Sequence, residues 1–101
     1  MKSCVGLLVA LGLNVFSQAA GAANLMHGQQ LYQMHCGACH GFRGEGIAPE
    51  APKFQRGERL DQPDMMLMQS VKTGKKTMPP FFGILKDQDI LDVLSYVRTL
   101  R

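Results

Sequence analysis

The chain lacks the residues and patterns on which several classes of protein depend. It contains no tryptophan and only three cysteines among 101 residues. No segment alternates between apolar and polar residues as a half-buried strand does, which argues against a β-sheet protein. We find no internal repeat, no low-complexity tract and no second domain. The formal net charge is only +3, too small for the basic surface of a nucleic-acid-binding domain.

The longest apolar run lies at the N-terminus and is too short to cross a membrane. Lys2 precedes an apolar run over residues 5–13, and small residues follow as far as Ala22. A spanning helix needs about 20 apolar residues, whereas this order is typical of a cleaved secretory signal. We therefore predict a signal peptide over residues 1–22, cleaved after Ala22 or, as the alternative, after Ala23.

Export predicts a periplasmic protein with no membrane span after cleavage. Loss of the signal removes Lys2 and Cys4, which leaves residues 23–101 as one domain with a formal net charge of +2. About 79 residues bury a marginal core and usually need a staple or a cofactor. Two thiols in an oxidising compartment tend to form a disulfide bond. The remaining cysteines, Cys36 and Cys39, therefore predict either a disulfide or a group bound to both sulfurs.

The mature chain predicts an all-α fold with long loops. Apolar periodicity and flanking residues indicate helices over residues 26–39, 63–73 and 87–100. Residues 41–59 are rich in glycine and read as a loop, and the two prolines within residues 75–85 make that segment extended. The apolar faces of the first and last helices comprise Leu31, Tyr32, Met34, Ile90, Val93, Leu94, Val97 and Leu100.

Cysteine and histidine are clustered at one place, the stretch CGACH that ends at His40. Two thiols three residues apart project from one side of a helical turn. Structural zinc needs four ligands, and only His27 and His35 remain to complete the set. Thiol–disulfide exchange requires a preceding strand and a βαβ setting, whereas covalent haem requires both thiols and the adjacent histidine. We interpret Cys36 and Cys39 as the attachment points of one haem c and His40 as a ligand of its iron.

The sixth ligand of the iron decides whether such a protein carries electrons or does chemistry. Met65, Met66 and Met68 fall within the second predicted helix, where flexible thioethers fill gaps against a large apolar group. Met78 precedes Pro79 and is therefore carried on a stiff, extended segment. We predict Met78 as the sixth ligand. A histidine, water or another methionine is the alternative.

Together these features resemble the class I c-type cytochromes, the small monohaem family, over nearly all of the mature chain. Gly28 and Tyr32 match the glycine and the aromatic residue that precede the haem motif in that family. Met78 matches its axial methionine, and Tyr96 matches the aromatic residue of its last helix. The resemblance implies the small cytochrome c fold, with three to four helices and long loops around one covalent haem.

The resemblance also implies a loop proline whose carbonyl binds the second nitrogen of the haem histidine. Pro52 fits this role better than Pro49, which stays as the alternative. Some members of the family use a tryptophan to reach a haem propionate, and this chain has none. The residues that remain for that contact are Arg43, Gln55, Arg56 and Arg59.

The predicted ligands favour a soluble periplasmic carrier of single electrons and not an enzyme. One alternative is a haem c subunit of a larger exported dehydrogenase or oxidase complex, because residues 78–85 are strongly apolar. Another is a peroxidase or gas-binding protein, which needs an open sixth site. The expected partners are redox proteins. We expect them to dock on Lys72, Lys75, Lys76 and the segment Pro79–Phe82.

Overall fold

The computed structural model describes residues 22–101 together with Gly6 and Gly12. The predicted signal peptide lies almost wholly outside these residues, and its boundary stays a prediction. The described part contains helices and no β-strand, which confirms the all-α class. None of its helices is long and apolar enough to cross a membrane. The helices are α1 (Leu25–His35), α2 (Gly37–His40), α3 (Asp64–Thr73), α4 (Asp87–Thr99) and a 3-10 turn over Phe54–Arg56.

The first helix is shorter than predicted, and fewer of its residues than predicted are buried in the core. The Asn24 side chain caps α1 by accepting a hydrogen bond from the His27 N–H at 3.0 Å. The helix ends at His35, and the haem motif forms the separate turn α2. Tyr32 is fully buried, but Met34 is 72% exposed. Placing Met34 on the apolar face was wrong, because residues two apart do not share a helix face.

Helices α1 and α4 meet in close contact at Gly28. A Cβ atom at this position would lie 2.5 Å from the carbonyl carbon of Asp92 and 3.1 Å from the backbone nitrogen of Val93. Only glycine permits this approach, which explains why α1 tolerates a residue that costs about 1 kcal/mol in a helix. Tyr32 packs edge-on against Tyr96 beside the crossing, with ring centroids 5.4 Å apart. The glycine that matches the resembled family is therefore required here by the close packing of α1 on α4.

Helices α3 and α4 follow their predicted ranges closely. Pro63, the first residue of the predicted range, is the N-cap of α3, so the helix begins one residue later than predicted, and Gly74 ends it with φ 75°. Lys86 is the N-cap of α4, and its N–H donates to Oδ2 of Asp89 at 3.0 Å. The acidic first turn thus supplies the cap that a lysine side chain cannot. The buried apolar residues of α4 are Ile90, Val93, Leu94 and Val97.

The core consists of two buried clusters that share α4. One contains Met68, Phe81, Leu85, Ile90 and Leu94, and the other contains Tyr32, Leu60, Val93 and Val97. The packing role predicted for the methionines of α3 is confirmed for Met68 alone. Met65 and Met66 are 72% and 56% exposed, so for them the prediction was wrong. They occupy the outer face of the first turn of α3.

A single arginine ties the loop before α3 to the last helix. The Arg98 guanidinium donates to the carbonyl oxygens of Leu60 and Gln62 at 2.7 and 2.9 Å, and to Oδ1 of Asp64 at 2.8 Å. Hydrogen bonds between charged and backbone groups are stronger than neutral ones. This clamp holds one wall of the cavity described below.

Candidate functional site

One cavity of about 270 Å³ brings all the predicted site residues together. Cys36, Cys39, His40, Pro52 and Met78 line it, although they come from separate parts of the chain. Its apolar lining is completed by Tyr32, Ala48, Ala51, Phe54, Leu60, Leu67, Val71, Pro79, Phe81, Val93, Leu94 and Val97. Its polar lining is His35, Glu50, Arg59, Gln62, Ser70, Lys75, Lys76 and Thr77. An apolar hollow with a few convergent polar groups is the usual form of a cofactor site.

The two thiols stand at the turn between α1 and α2. The amide of His40 donates to the carbonyl of Cys36 at 2.9 Å, which closes the turn around Cys39. Within the described residues both thiols are free, and Cys36 is half-buried while Cys39 is exposed. Burial, together with the neighbouring Cys39, raises the pKa of the Cys36 thiol to about 11. Exchange chemistry needs a lowered thiol pKa, so this environment disfavours the thiol–disulfide alternative.

The zinc alternative finds no ligand set in the described part of the chain. No three histidine, cysteine or acidic side chains converge there in a way that could hold a metal ion. A structural zinc site needs four such ligands. Of the two histidines considered for it, His27 is engaged with Asp92 at 2.9 Å, and His35 packs edge-on against Phe81.

His40 projects into the cavity as a neutral, oriented imidazole. Its ring stacks on Phe54 with centroids 4.7 Å apart and an angle of 16° between the planes. Burial lowers the pKa of His40, while the carbonyl of Pro52 acts in the opposite direction. Nδ1 is buried and has no fully formed hydrogen bond among the described residues, so the approach of Pro52 falls short of one. The neutral form is the one that binds metal, and the contact favours Pro52 over Pro49.

Met78 reaches the cavity from a tight turn that follows α3. Lys75 and Met78 exchange two backbone hydrogen bonds, with N···O distances of 3.1 and 2.9 Å, and Lys76 takes a left-handed φ of 56°. The extended conformation predicted for residues 75–85 is therefore wrong at the start of the segment. It is also wrong at its end, where residues 82–84 form a second turn. Met78 itself is half-buried and packs against the cluster that contains Met68.

The cavity fits the covalent haem predicted from the sequence. Two thiols stand at one part of its wall, and an imidazole and a thioether come from two separate segments of the chain, the turn α2 and the turn after α3. The buried Nδ1 of His40, next to a carbonyl that can fix the ring, suits a histidine held for an iron ion. Of the four residues considered for a haem propionate, Arg59 is the one that lines the described cavity.

The predicted docking lysines do not form one group. Lys72 pairs with Asp87 at 2.8 Å, so its charge is partly compensated. Lys75 and Lys76 are exposed and border the cavity. Sequence reasoning treated His35 only as a spare ligand, whereas it forms part of the cavity wall. Its position directly before the first cysteine was the available signal.

The chain is similar to one family of cytochrome domains and to individual cytochromes c4 and c6. The family described as cytochrome c oxidase, cbb3-type, subunit III, matches residues 23–97. Cytochrome c4 of Pseudomonas aeruginosa is 38% identical over 99 residues, which cover 94% of this chain but 46% of that protein. Cytochrome c6 of Cyanidium caldarium is 39% identical over 80 residues, covering 75% of this chain and 71% of that protein. Cytochrome c6 of Thermosynechococcus vestitus is 37% identical over 97 residues, covering 92% and 80%. The chain thus spans about half the length of cytochrome c4 and most of each cytochrome c6.

Proposed function

Because this chain belongs to the cytochrome c family, we propose that it carries single electrons between redox proteins with His40 and Met78 as the axial ligands of its haem iron. Family membership makes the chain an electron-transfer protein with covalently attached haem c. The finer proposal rests on one observation. Cys36, Cys39, His40 and Met78 line the same apolar cavity.

Each of these residues has a separate task. The sulfurs of Cys36 and Cys39 hold the haem as thioethers, so that it stays in place in both oxidation states. His40, neutral because burial lowers its pKa, would be one ligand of the iron. Met78 would be the other ligand, and its thioether would raise the reduction potential. The haem supplies the one-electron change, and two occupied axial positions keep oxygen and peroxide away from the iron.

We propose that redox partners approach where Lys75 and Lys76 border the cavity, together with the segment Pro79–Phe82, in which Phe82 is 77% exposed. The formal charge of +2 after signal cleavage is cancelled by two propionates in the ferrous protein. Steering must therefore come from a local patch and act over a short range. Lys72 contributes less than predicted, because Asp87 partly compensates its charge.

The docking surface is tested by stopped-flow electron transfer with the physiological partner. Lys75→Glu plus Lys76→Glu should lower the association rate about tenfold or more at low salt, and much less at high salt. Lys86→Glu plus Arg101→Glu is the matched control, because it changes the net charge equally at exposed residues outside the cavity lining. Equal rates for both double variants at low salt would show that the lysines are merely solvated.

A permanent subunit of a larger complex is the second candidate. Phe82 and Ile84 are both exposed large apolar residues that follow the cavity-lining Phe81 in the chain. Permanent interfaces are larger and more apolar than those of shuttles. Gel filtration of a native extract separates the two, since a shuttle elutes near its own mass. Stable elution with a larger complex would favour the subunit role.

We also propose a periplasmic location, which rests on the predicted signal over residues 1–22. Cell fractionation should find the holo-protein in the periplasm. Mass spectrometry of its N-terminus should give Ala23 or Asn24 as the first residue. Recovery of the intact chain with Met1 in the cytoplasm would contradict both the location and the domain boundary.

A further inference from the structure

We propose that Gly74 is a positioning residue for the sixth ligand. Its backbone contact with the Met78–Pro80 segment sets how firmly the Met78 thioether is held at the haem iron. This inference rests on the proposed ligation by Met78. It concerns a residue outside the cavity lining, so the effect would be transmitted entirely through the backbone.

Gly74 occupies a backbone conformation and a space that no other residue fits. Its φ of 75° and ψ of 168° fall in a region that is essentially restricted to glycine. A Cβ atom there would lie 2.7 Å from the carbonyl oxygen of Met78, 2.8 Å from the nitrogen of Pro80 and 3.0 Å from the carbonyl carbon of Pro79. All three are backbone atoms, which cannot rotate away. A side chain at position 74 must therefore displace the segment that carries Met78.

The same segment is anchored to the last turn of α3. The Phe81 N–H donates to the carbonyl of Val71 at 3.0 Å, and the Phe82 N–H donates to the carbonyl of Lys72 at 3.1 Å. These are carbonyls that the end of a helix would otherwise leave without a partner. Pro79 and Pro80 have no N–H to donate. The position of Met78 is therefore fixed from its two sides, by the turn before it and by this pair of bonds after it.

One helix thus shapes both the cavity and the ligand segment. Leu67, Ser70 and Val71 of α3 line the cavity, and Met68 packs in the cluster that Met78 contacts. A weak thioether ligand must be carried on a segment that is already ordered before it binds. Each kcal/mol spent on ordering that segment weakens the binding of the thioether to the iron. Strain of the size carried by non-glycine residues in such conformations corresponds to a roughly 10- to 100-fold shift in ligand occupancy.

Gly74→Ala in the holo-protein tests the proposal, with Gly83→Ala as the matched control. Gly83 has a similar φ of 79°, but a Cβ atom at this position would have no described atom within 4 Å, so alanine there adds backbone strain without the contact. Gly74→Ala should raise the carbon monoxide affinity of the ferrous protein roughly tenfold or more and weaken the iron–thioether absorption band. Gly83→Ala should stay near wild type. Equal affinities for the two variants would overturn the proposal.

A second pair of variants covers the case in which Gly74→Ala does not accumulate. Phe82→Pro deletes the N–H that donates to Lys72, whereas Phe82→Ala keeps it, and the side chain is exposed in either case. Phe82→Pro should bind carbon monoxide more tightly than Phe82→Ala, and equal binding would contradict the anchor. Met78→Ala distinguishes a failure of the proposed ligation from a failure of the positioning role. If it binds carbon monoxide no better than wild type, the ligation proposal fails. If it binds tightly while Gly74→Ala and Phe82→Pro do not, only the positioning role fails.

Discussion

Replacing Asp92 by asparagine tests the polar cluster that joins α1 to α4. Asp92 is only 4% exposed. Its Oδ1 accepts hydrogen bonds from the Asn24 N–H and from Nε2 of Gln88, both at 3.0 Å, and its Oδ2 pairs with Nδ1 of His27 at 2.9 Å. Asparagine keeps the shape of the side chain and removes the charge. The variant therefore isolates what the charge contributes beside the Gly28 crossing.

The magnitude follows from the three bonds and the pKa. Hydrogen bonds to charged groups contribute about 1.5–3 kcal/mol each, against about 0.5–1.5 kcal/mol for neutral ones. The new amide can still donate to His27, so we expect Asp92→Asn to cost about 2 kcal/mol at pH 7. Burial alone raises the pKa of Asp92, but the bonds from His27, Asn24 and Gln88 lower it overall. This stability is therefore present above the unfolded-state pKa of about 3.9 and is lost as the pH falls through the lower folded-state value.

Urea unfolding of the holo-protein between pH 7 and pH 2 measures both effects. The wild type should be more stable than Asp92→Asn at pH 7, and the difference should shrink as the carboxylate is protonated. Asp61→Asn is the control, since Asp61 is exposed and its side chain has no hydrogen bond among the described residues. A difference that is absent at pH 7, or that does not change with pH, would refute the reasoning.

Three further predictions concern the haem and the core. Cys36→Ala plus Cys39→Ala should abolish the haem stain on a denaturing gel, and a persisting stain would contradict covalent attachment. Met68→Ala should lower the free energy of unfolding by about 2–5 kcal/mol, whereas Met66→Ala should stay within about 0.5 kcal/mol of wild type. Similar losses of stability for the two variants in urea unfolding would contradict the assignment of Met68 to the core and Met66 to the surface. Gly28→Ala should cost about 1–3 kcal/mol in the same assay, because its Cβ meets the backbone of α4, and an unchanged midpoint would mean that the helices can separate freely.

The last helix was predicted well because its information is local. Ile90, Val93 and Leu94 follow the helical period, and the acidic first turn marks its start. The end of α1 was missed because the haem motif forms its own turn at Cys36. Periodicity cannot distinguish a continuous helix from two helical turns that follow each other with a change of direction. Met34 was misplaced for a different reason, because its apolar character was counted although it lies two residues from the buried Tyr32 and so on another side of α1.

The candidate site was recognisable where its chemistry depends on spacing. The positions of the cysteines and of His40 follow from one motif, and Pro79 marks Met78 through backbone stiffness. Contacts between distant elements carry no such signal. The pairing of Lys72 with Asp87 depends on how α3 packs against the start of α4. The buried carboxylate of Asp92 could not be expected either, because an acidic residue in a helix is usually solvated.

We propose that His40 and Met78 occupy both axial positions of a covalently bound haem, and a haem closed in this way would carry electrons. The most direct measurement is the absorption spectrum of the ferrous wild-type holo-protein at neutral pH before and after addition of carbon monoxide. We predict that the wild-type spectrum does not change, while that of Met78→Ala shifts at once. Prompt carbon monoxide binding by the wild type would contradict the claim and indicate an open sixth site, as in a peroxidase or a gas-binding protein.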